Sequence, residues 1–363
     1  MNTTVLPDGF NWTLPSTAPN DTAHRFAVDE SADPSAEVER ALLLLTQLSA
    51  GSPMQSMITE HLSAGGRRLR ARLALDVALC GGATRQSAVW WAAACEMMHN
   101  ATLVHDDLQD GDVVRRGQPA LWATYGSAQA INAGDAMLMM PYAAIWRTGV
   151  PADTASALCE CLSRRTVATA CGQSIELGLT DAADTSWDAY IQAAWGKTGQ
   201  FFAMPVEGAL LCAGSSRETA FRVADSFGWV GVLFQIIDDV VDLYGEKGRG
   251  ELGADVKEGK LSALVIQHLL RCPEEEEWLL GILREDRDAT TAAQVSQVRD
   301  RFEQSGALEA TLQLIRHGRV FIETHPDLQP YPRLREFGIG VLDSSAVSIH
   351  DRLAATSVDD RLM

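Results

Sequence analysis

Two aspartate groups share one spacing: Asp106-Asp107-Leu108-Gln109-Asp110 and, about 130 positions later, Asp238-Asp239-Val240-Val241-Asp242. Each closes an apolar, helix-like run, Glu96 to Val104 and Trp229 to Ile237. On a helix, positions i and i+4 share a face and i+1 adjoins i+4, so each group is expected to point three carboxylates into one small volume. Like charges at that spacing repel, and something cationic must offset them. Hard divalent ions with oxygen ligands meet that need, because Mg2+ bridges one or two carboxylates to substrate phosphates.

Basic residues surround these groups. Arg115-Arg116-Gly117 follows the first group after a short loop, and a guanidinium presents a planar fork that suits phosphate oxygens. Metal carboxylates followed by paired arginines suggest a diphosphate held from two sides. Upstream, Gly65-Gly66-Arg67-Arg68-Leu69-Arg70 places more cations on a glycine turn, where backbone can approach an anion closely. Further cations stand in Trp195-Gly196-Lys197-Thr198-Gly199 and in Asp255-Val256-Lys257-Glu258-Gly259-Lys260. Either acidic group alone reads equally well as a solvated helix end. His99 alone reads as a packed or surface histidine, and the pair Met97-Met98 as core filler.

The elements that must hold these residues are helical. From Ala36 onward the periodicity is helical almost throughout, starting at a cap near Ser35 and continuing over 53–64, 68–80, 86–108, 120–147, 152–178, 186–213, 216–243, 259–271, 274–285, 289–305 and 308–322. Strand alternation is scarce, and Gly/Pro breaks separate the helical runs. The expected fold class is all-α, a single large helical bundle around a central cavity, with metal sites built from facing helices. Residues 1–35, rich in Pro, Asn, Asp, Thr and Ser, read as a flexible N-terminal extension. Residues 36–322 form the helical domain, and 323–363 a partly helical tail.

Of the 363 residues, 46% are hydrophobic and 21% charged, which is ordinary globular material able to bury a large core. The net charge of −18 argues against nucleic-acid or anionic-membrane binding, although a local basic cleft still admits small anions. Seven cysteines without a paired C-x-x-C pattern read as reduced thiols of a cytoplasmic protein. No Lys or Arg precedes Arg25, so no secretory leader is expected. No segment approaches the roughly 20 apolar residues of a membrane span, so no stable membrane insertion is expected.

Taken in order, these motifs make the sequence resemble the trans-isoprenyl diphosphate synthases, the all-trans polyprenyl synthase family. The likeness covers roughly residues 40–320. It rests on Gly65 to Arg70, on His99-Asn100-Ala101-Thr102-Leu103-Val104-His105-Asp106-Asp107, on Arg115-Arg116-Gly117 and on Lys197-Thr198. It continues with Phe234-Gln235-Ile236-Ile237-Asp238-Asp239, Gly253-Ala254-Asp255 and Gly259-Lys260. One D-D-x-x-D is weak; two, with the basic motifs in order, are specific.

The resemblance implies the isoprenoid synthase fold and a prenyltransferase that condenses isopentenyl diphosphate with an allylic diphosphate. It implies three Mg2+ ions held by Asp106, Asp110, Asp238 and Asp242, with Asp107 and Asp239 beside them. It assigns isopentenyl diphosphate to Arg67, Arg70, His99 and Arg116, and the allylic diphosphate to Arg115, Lys197 and Lys260. Thr198 and Gln235 would set oxygens near the allylic cation. Family members are commonly homodimers.

This chain departs from the family pattern at three positions: Arg67 for a usual lysine, Ala71 for a frequent proline, and Glu251 for a common lysine before the Gly-x-Asp. The last removes one allylic-side cation unless Lys247, Arg249 or Lys257 replaces it.

Product length in this family is set one turn before the first aspartates. Ala101 and Thr102 are small there, with Met97 and Met98 deeper and Met137, Met139 and Met140 on the next helix. Met97 or Met98 is expected to close the tunnel at geranylgeranyl diphosphate. Other readings are a farnesyl or longer-chain synthase, a terpene synthase on the same fold, and a non-catalytic regulatory subunit. The last two commonly lose an aspartate group, and both groups are intact here.

Overall fold

The computed structural model describes residue 29 and residues 32–182, 185–245 and 252–355. Almost all the expected extension, and Glu251 with Lys247 and Arg249, lie outside the described residues. Helix α1 (Pro34–Thr46) starts earlier than the expected Ser35 cap. Asp33 takes that role because Pro34 is preorganised for the first turn, and Asp33 Oδ1 accepts the Ser35 amide at 3.2 Å. Then follow α2 (Pro53–Ser63), α3 (Leu69–Cys80) and α4 (Arg85–Gln109). Thr84 caps α4, and both Trp90 and Trp91 in its first two turns are fully buried.

Between α4 and the next helices the chain forms a two-residue ladder, β1 (Val114–Arg115) against β2 (Gln118–Pro119). Its turn residues Arg116 (φ +54°) and Gly117 (φ +76°) are both left-handed, the geometry of a tight hairpin. The single helix expected over 120–147 is broken at Gly126 into α5 (Leu121–Tyr125) and α6 (Ser127–Ile145). Helix α7 (Ala152–Ala182) follows. The stretch 186–213 is likewise not one helix: α8 (Trp187–Ala194) and α9 (Gln200–Cys212) flank a π turn at Trp195–Gly199. Helix α10 (Arg217–Tyr244) is capped by Ser216, whose hydroxyl accepts the Thr219 amide at 3.1 Å.

The C-terminal part comprises α11 (Ala254–Lys257), α12 (Ala263–Leu269), α13 (Glu276–Leu283), α14 (Ala292–Gln304), α15 (Ala307–Thr324), α16 (Pro332–Ser345) and α17 (His350–Ala355). The run expected over 259–271 is helical only from Ala263, because Ser262 caps α12.

Helix α4 packs against α1, α3, α6 and α9; α10 packs against α9, α15 and α16; and α7 closes the ring through α9 and the π turn. The two aspartate-bearing helices are thereby walls of one bundle. By length and composition α10 would pass as a membrane span, contrary to the sequence expectation, but two-thirds of its apolar window is buried inside the fold. That is the profile of a central core helix.

Candidate active site

A cavity of about 910 Å3 opens between α4, α7, the π turn and α10. Asp106 from α4 and Asp238 from α10 both line it, so the two walls face each other. Arg67, Arg70, His99, Thr102, Arg115, Arg116, Lys197, Thr198 and Gln235 line the same space.

The remaining predicted residues lie elsewhere. The expectation that three carboxylates of each group share one volume does not hold. Asp107 is buried and binds Arg115 Nε at 2.5 Å through Oδ1. Asp239 is buried as well: Oδ2 accepts the Tyr190 hydroxyl (2.8 Å) and the Ala263 amide (2.7 Å), and Oδ1 accepts Gln235 Nε2 (3.0 Å). Asp242 is buried and accepts the Asp255 amide at 3.0 Å. A helix turns about 100° per residue, so the second aspartate of each group points behind the wall and serves as an anchor. Asp110 caps α4 and lies 3.7 Å from Lys260 Nζ, which also meets Glu258 at 2.6 Å and Asp255 at 3.7 Å.

The anchors orient the catalytic candidates. Thr198 donates its hydroxyl to Gln235 Oε1 at 3.0 Å, and Gln235 in turn donates to Asp239. The Gln235 amide therefore has one orientation, and the Thr198 oxygen keeps its acceptor capacity beside the cavity. Lys197 pairs with Glu176 of α7. This contact needs α7 to touch the π turn: a β-carbon on Gly172 would lie 2.2 Å from the Lys197 backbone nitrogen, and one on Gly196 would lie 2.6 Å from the Gly172 Cα.

The two ends of the cavity differ in charge. At the acidic end, burial raises the Asp106 pKa to about 6; Asp110 and Glu176 add to this, and Lys197 opposes it. Burial also raises Asp239 to about 7, against the hydrogen bonds that favour its charged form. Lys260 is pushed well up, because Asp255, Asp110, Glu258 and Glu176 outweigh the opposing effect of burial.

At the basic end, burial together with Arg67 and Arg116 lowers Arg70 to about 10, against the pull of Glu96. Burial, then Arg70, Arg116 and Arg115, holds His99 well below the usual imidazole range. Arg70 Nε and His99 Nδ1 are buried without a hydrogen-bond partner. Arg116 rests on the glycine turn, its guanidinium bonded to the Gly65 carbonyl, and a β-carbon on Gly66 would sit 2.6 Å from its Cζ. Gly66 therefore has to be glycine for Arg116 to lie there. Arg68 is structural, tied to Glu39, Glu96 and the Leu62 carbonyl. Ala71 uses an amide that proline lacks, donating to Glu96 at 3.4 Å.

Sequence reasoning missed Gln173 and Glu176, one turn apart on α7, and Tyr190 behind Asp239. Gln173 lines the cavity and donates to Gln109 at 3.0 Å. Gly172 directly before this pair was the available signal, since a mid-helix glycine marks close approach. The residues expected at the tunnel floor divide between cavity and core. Met97, Met98 and Ala101 are core residues off the cavity wall, and Met139 is 63% exposed. Thr102, also expected at the floor, does line the cavity, together with Leu138, Thr166, Thr169 and Ala170.

A sequence model of the polyprenyl synthetase family matches residues 52–301. The chain belongs to that family. As a polyprenyl synthetase it is a trans-prenyltransferase of isoprenoid biosynthesis, geranylgeranyl-synthase-like among its relatives. It is 31% identical over 265 residues to the short chain isoprenyl diphosphate synthase of Methanothermobacter thermautotrophicus, covering 69% of this chain and 77% of that one. It is 31% identical over 242 residues to the geranylgeranyl diphosphate synthase of Sulfolobus acidocaldarius, covering 64% and 72%. The polyprenyl synthase of Caulobacter crescentus, solved with calcium and isoprenyl diphosphate, superposes with a TM-score of 0.73 at 26% identity, covering 89% of this chain and 95% of that one.

The family acts on isopentenyl and allylic diphosphates and uses Mg2+ at its aspartate motifs. The donor set of this polyprenyl synthetase fits such an ion, since Asp106 and Asp238 offer hard oxygen ligands to one cavity. Among the described residues no three His, Cys, Asp or Glu side chains form a ready-made metal group.

Proposed function

We propose that this synthetase extends an allylic diphosphate with isopentenyl diphosphate to geranylgeranyl diphosphate. One observation carries the reading: a single cavity presents Asp106 and Asp238 at one end and Arg70, Arg116 and His99 at the other. Two anionic substrates therefore have separate, chemically distinct seats.

Arg67, Arg70, Arg116 and His99, which all line the cavity, hold the diphosphate of isopentenyl diphosphate. Lys197, Lys260 and Arg115 face the allylic diphosphate. Mg2+, three ions in this reading, supplies charge stabilisation of the departing diphosphate, with Asp106, Asp110 and Asp238 as the first residues to hold it and Asp242 behind them. The allylic carbon–oxygen bond breaks, and the electron pair leaves with the diphosphate. The Thr198 oxygen faces the resulting allylic cation. Phe201 and Phe234, which line the cavity, cover it from water and offer their ring faces. The double bond of isopentenyl diphosphate attacks, and the released diphosphate takes the proton that restores neutrality.

Incubating the protein with labelled isopentenyl diphosphate and each allylic primer, then sizing the products, tests this directly. A twenty-carbon product is expected (four five-carbon units), and a cyclic hydrocarbon formed without isopentenyl diphosphate would refute it. Thr102→Phe is expected to shorten the product by at least one five-carbon unit, because Thr102 lines the cavity between α4 and α7. Met98→Ala is expected to leave product length unchanged, because Met98 is off that wall.

We place the enzyme in the cytoplasm as a homodimer. Ile131 and Met139 of α6 and Trp146 at its C-cap lie along one stripe at intervals of eight and seven residues, and are 45, 63 and 73% exposed. Val167 on α7 is also exposed. An apolar stripe of this kind is a protein-interaction surface, and a second copy is its occupant here. Sedimentation at twice the monomer mass is the expected result.

A further inference from the structure

Arg287 is a cation that none of the roles above uses, and it bridges the segments that follow the two aspartate groups. Arg287 lies in the turn between α13 and α14, far in sequence from both aspartate groups. Its Nη1 donates to the Asp110 carbonyl at 2.9 Å and lies 3.3 Å from Asp112 Oδ1, and Nη2 meets the same Asp112 oxygen at 3.3 Å. Nη2 also lies 3.1 Å from Glu258 Oε1. One planar fork thus spans the loop after the first aspartates and the segment that follows the second.

We propose that Arg287 is a positioning residue that straps the two acidic walls together before ligand arrives. The kinetic consequence rests on the prenyl-transfer reading above; the strap itself does not.

A lone exposed ion pair contributes little, but one guanidinium shared among a carbonyl and two carboxylates from separate segments restricts both segments at once. Arg287 grips Asp110 through its main chain, so the Asp110 side chain stays directed at Lys260. Glu258 is the shared joint, with Oε1 on Arg287 and Oε2 on Lys260 at 2.6 Å. The strap therefore sets where Lys260 stands. Without it, the like-charged walls separate in the empty enzyme, and each binding event must draw them back. That cost falls on substrate and metal binding and leaves turnover at saturation nearly untouched.

The full-length protein with Arg287→Ala and with Arg287→Lys provides the test, read by calorimetric binding of inorganic diphosphate in Mg2+ and by amide hydrogen exchange. For Arg287→Ala we expect about five- to tenfold weaker binding, on the scale of one networked surface contact. We also expect faster exchange confined to 110–113 and 254–260, restored by Mg2+ and diphosphate. In turnover, KM rises by a similar factor with kcat within about twofold. Arg287→Lys keeps the charge but loses the fork, and should fall between. Unchanged exchange and affinity would overturn the strap. So would tighter Mg2+ binding in Arg287→Ala with wild-type behaviour in Arg287→Lys, which would reduce Arg287 to a point charge. Faster exchange throughout the bundle would also overturn it, by showing a general structural role. A protein that binds Mg2+ and diphosphate but makes no prenyl product would sink the proposed function while leaving this test intact.

Discussion

Asp106→Ala and Asp238→Ala each lower kcat for prenyl transfer by about a thousandfold or more, measured as incorporation of labelled isopentenyl diphosphate at saturating Mg2+. The size follows from what these side chains face. Diphosphate departure from an allylic carbon develops charge that has to be met by preorganised positive groups in a site shielded from water, and one well-placed group is worth 10²–10³ (about 3–4 kcal/mol) by itself. Asp106 and Asp238 place those groups on opposite sides of one cavity, so losing either leaves the leaving group held from one side. Asp106→Ala is expected to leave the melting temperature unchanged or higher. Burial with Asp110 and Glu176 nearby already makes the Asp106 charge costly, so its removal relieves strain in the empty protein. A loss of activity accompanied by unfolding would point instead to a structural role.

Gly172→Ala lowers kcat by about a hundredfold while adding a single methyl group outside the cavity. The new β-carbon would lie 2.2 Å from the Lys197 backbone nitrogen and 2.5 Å from the Gly196 carbonyl carbon. Both neighbours are main chain and cannot rotate away, so α7 and the π turn must move apart. Lys197 then leaves Glu176, and Thr198 shifts from Gln235, which it meets at 3.0 Å. Displacement of a reacting group by about 1 Å costs on the order of 10² in rate. The decisive comparison is kcat against KM: a geometric fault at Thr198 lowers kcat more than it raises KM. Gly178→Ala on the same helix, where a β-carbon meets nothing within 4 Å, is the matched control and should behave as wild type.

Much of this site was legible from residue type and order. The helical periods, the two aspartate groups and the arginine clusters each carry a local signal, and Asp106, Asp238, Arg70, Arg116, His99, Lys197, Thr198 and Gln235 do share one cavity. What sequence concealed was direction. Asp107 and Asp239 are the same residue type as their neighbours, one position on, yet helix rotation sends them backward to hold Arg115 and Gln235. Met97 and Met98 lie one turn nearer the N-terminus than Ala101 and Thr102, but whether a side chain meets the cavity or the core depends on α6 and α7, which are remote in sequence. The breaks at Gly126 and at Trp195–Gly199 were hidden because the Ala-rich periodicity continues through them. Arg287 gave no signal, since its partners come from two segments that only the folded chain brings near.

Helix α10 has a rear side as well as a catalytic one. Gly338 of α16 sits so close to it that an added β-carbon would be 2.9 Å from Phe227 and 3.0 Å from Val230. Helix α16 lies beyond residue 301, where the family match ends. The part of the chain that the family match spans is thus braced by a helix outside it. Drift in that buttress would alter the chemistry without touching a single motif residue, and a chimaera that exchanged only residues 52–301 would inherit a foreign brace behind Asp238.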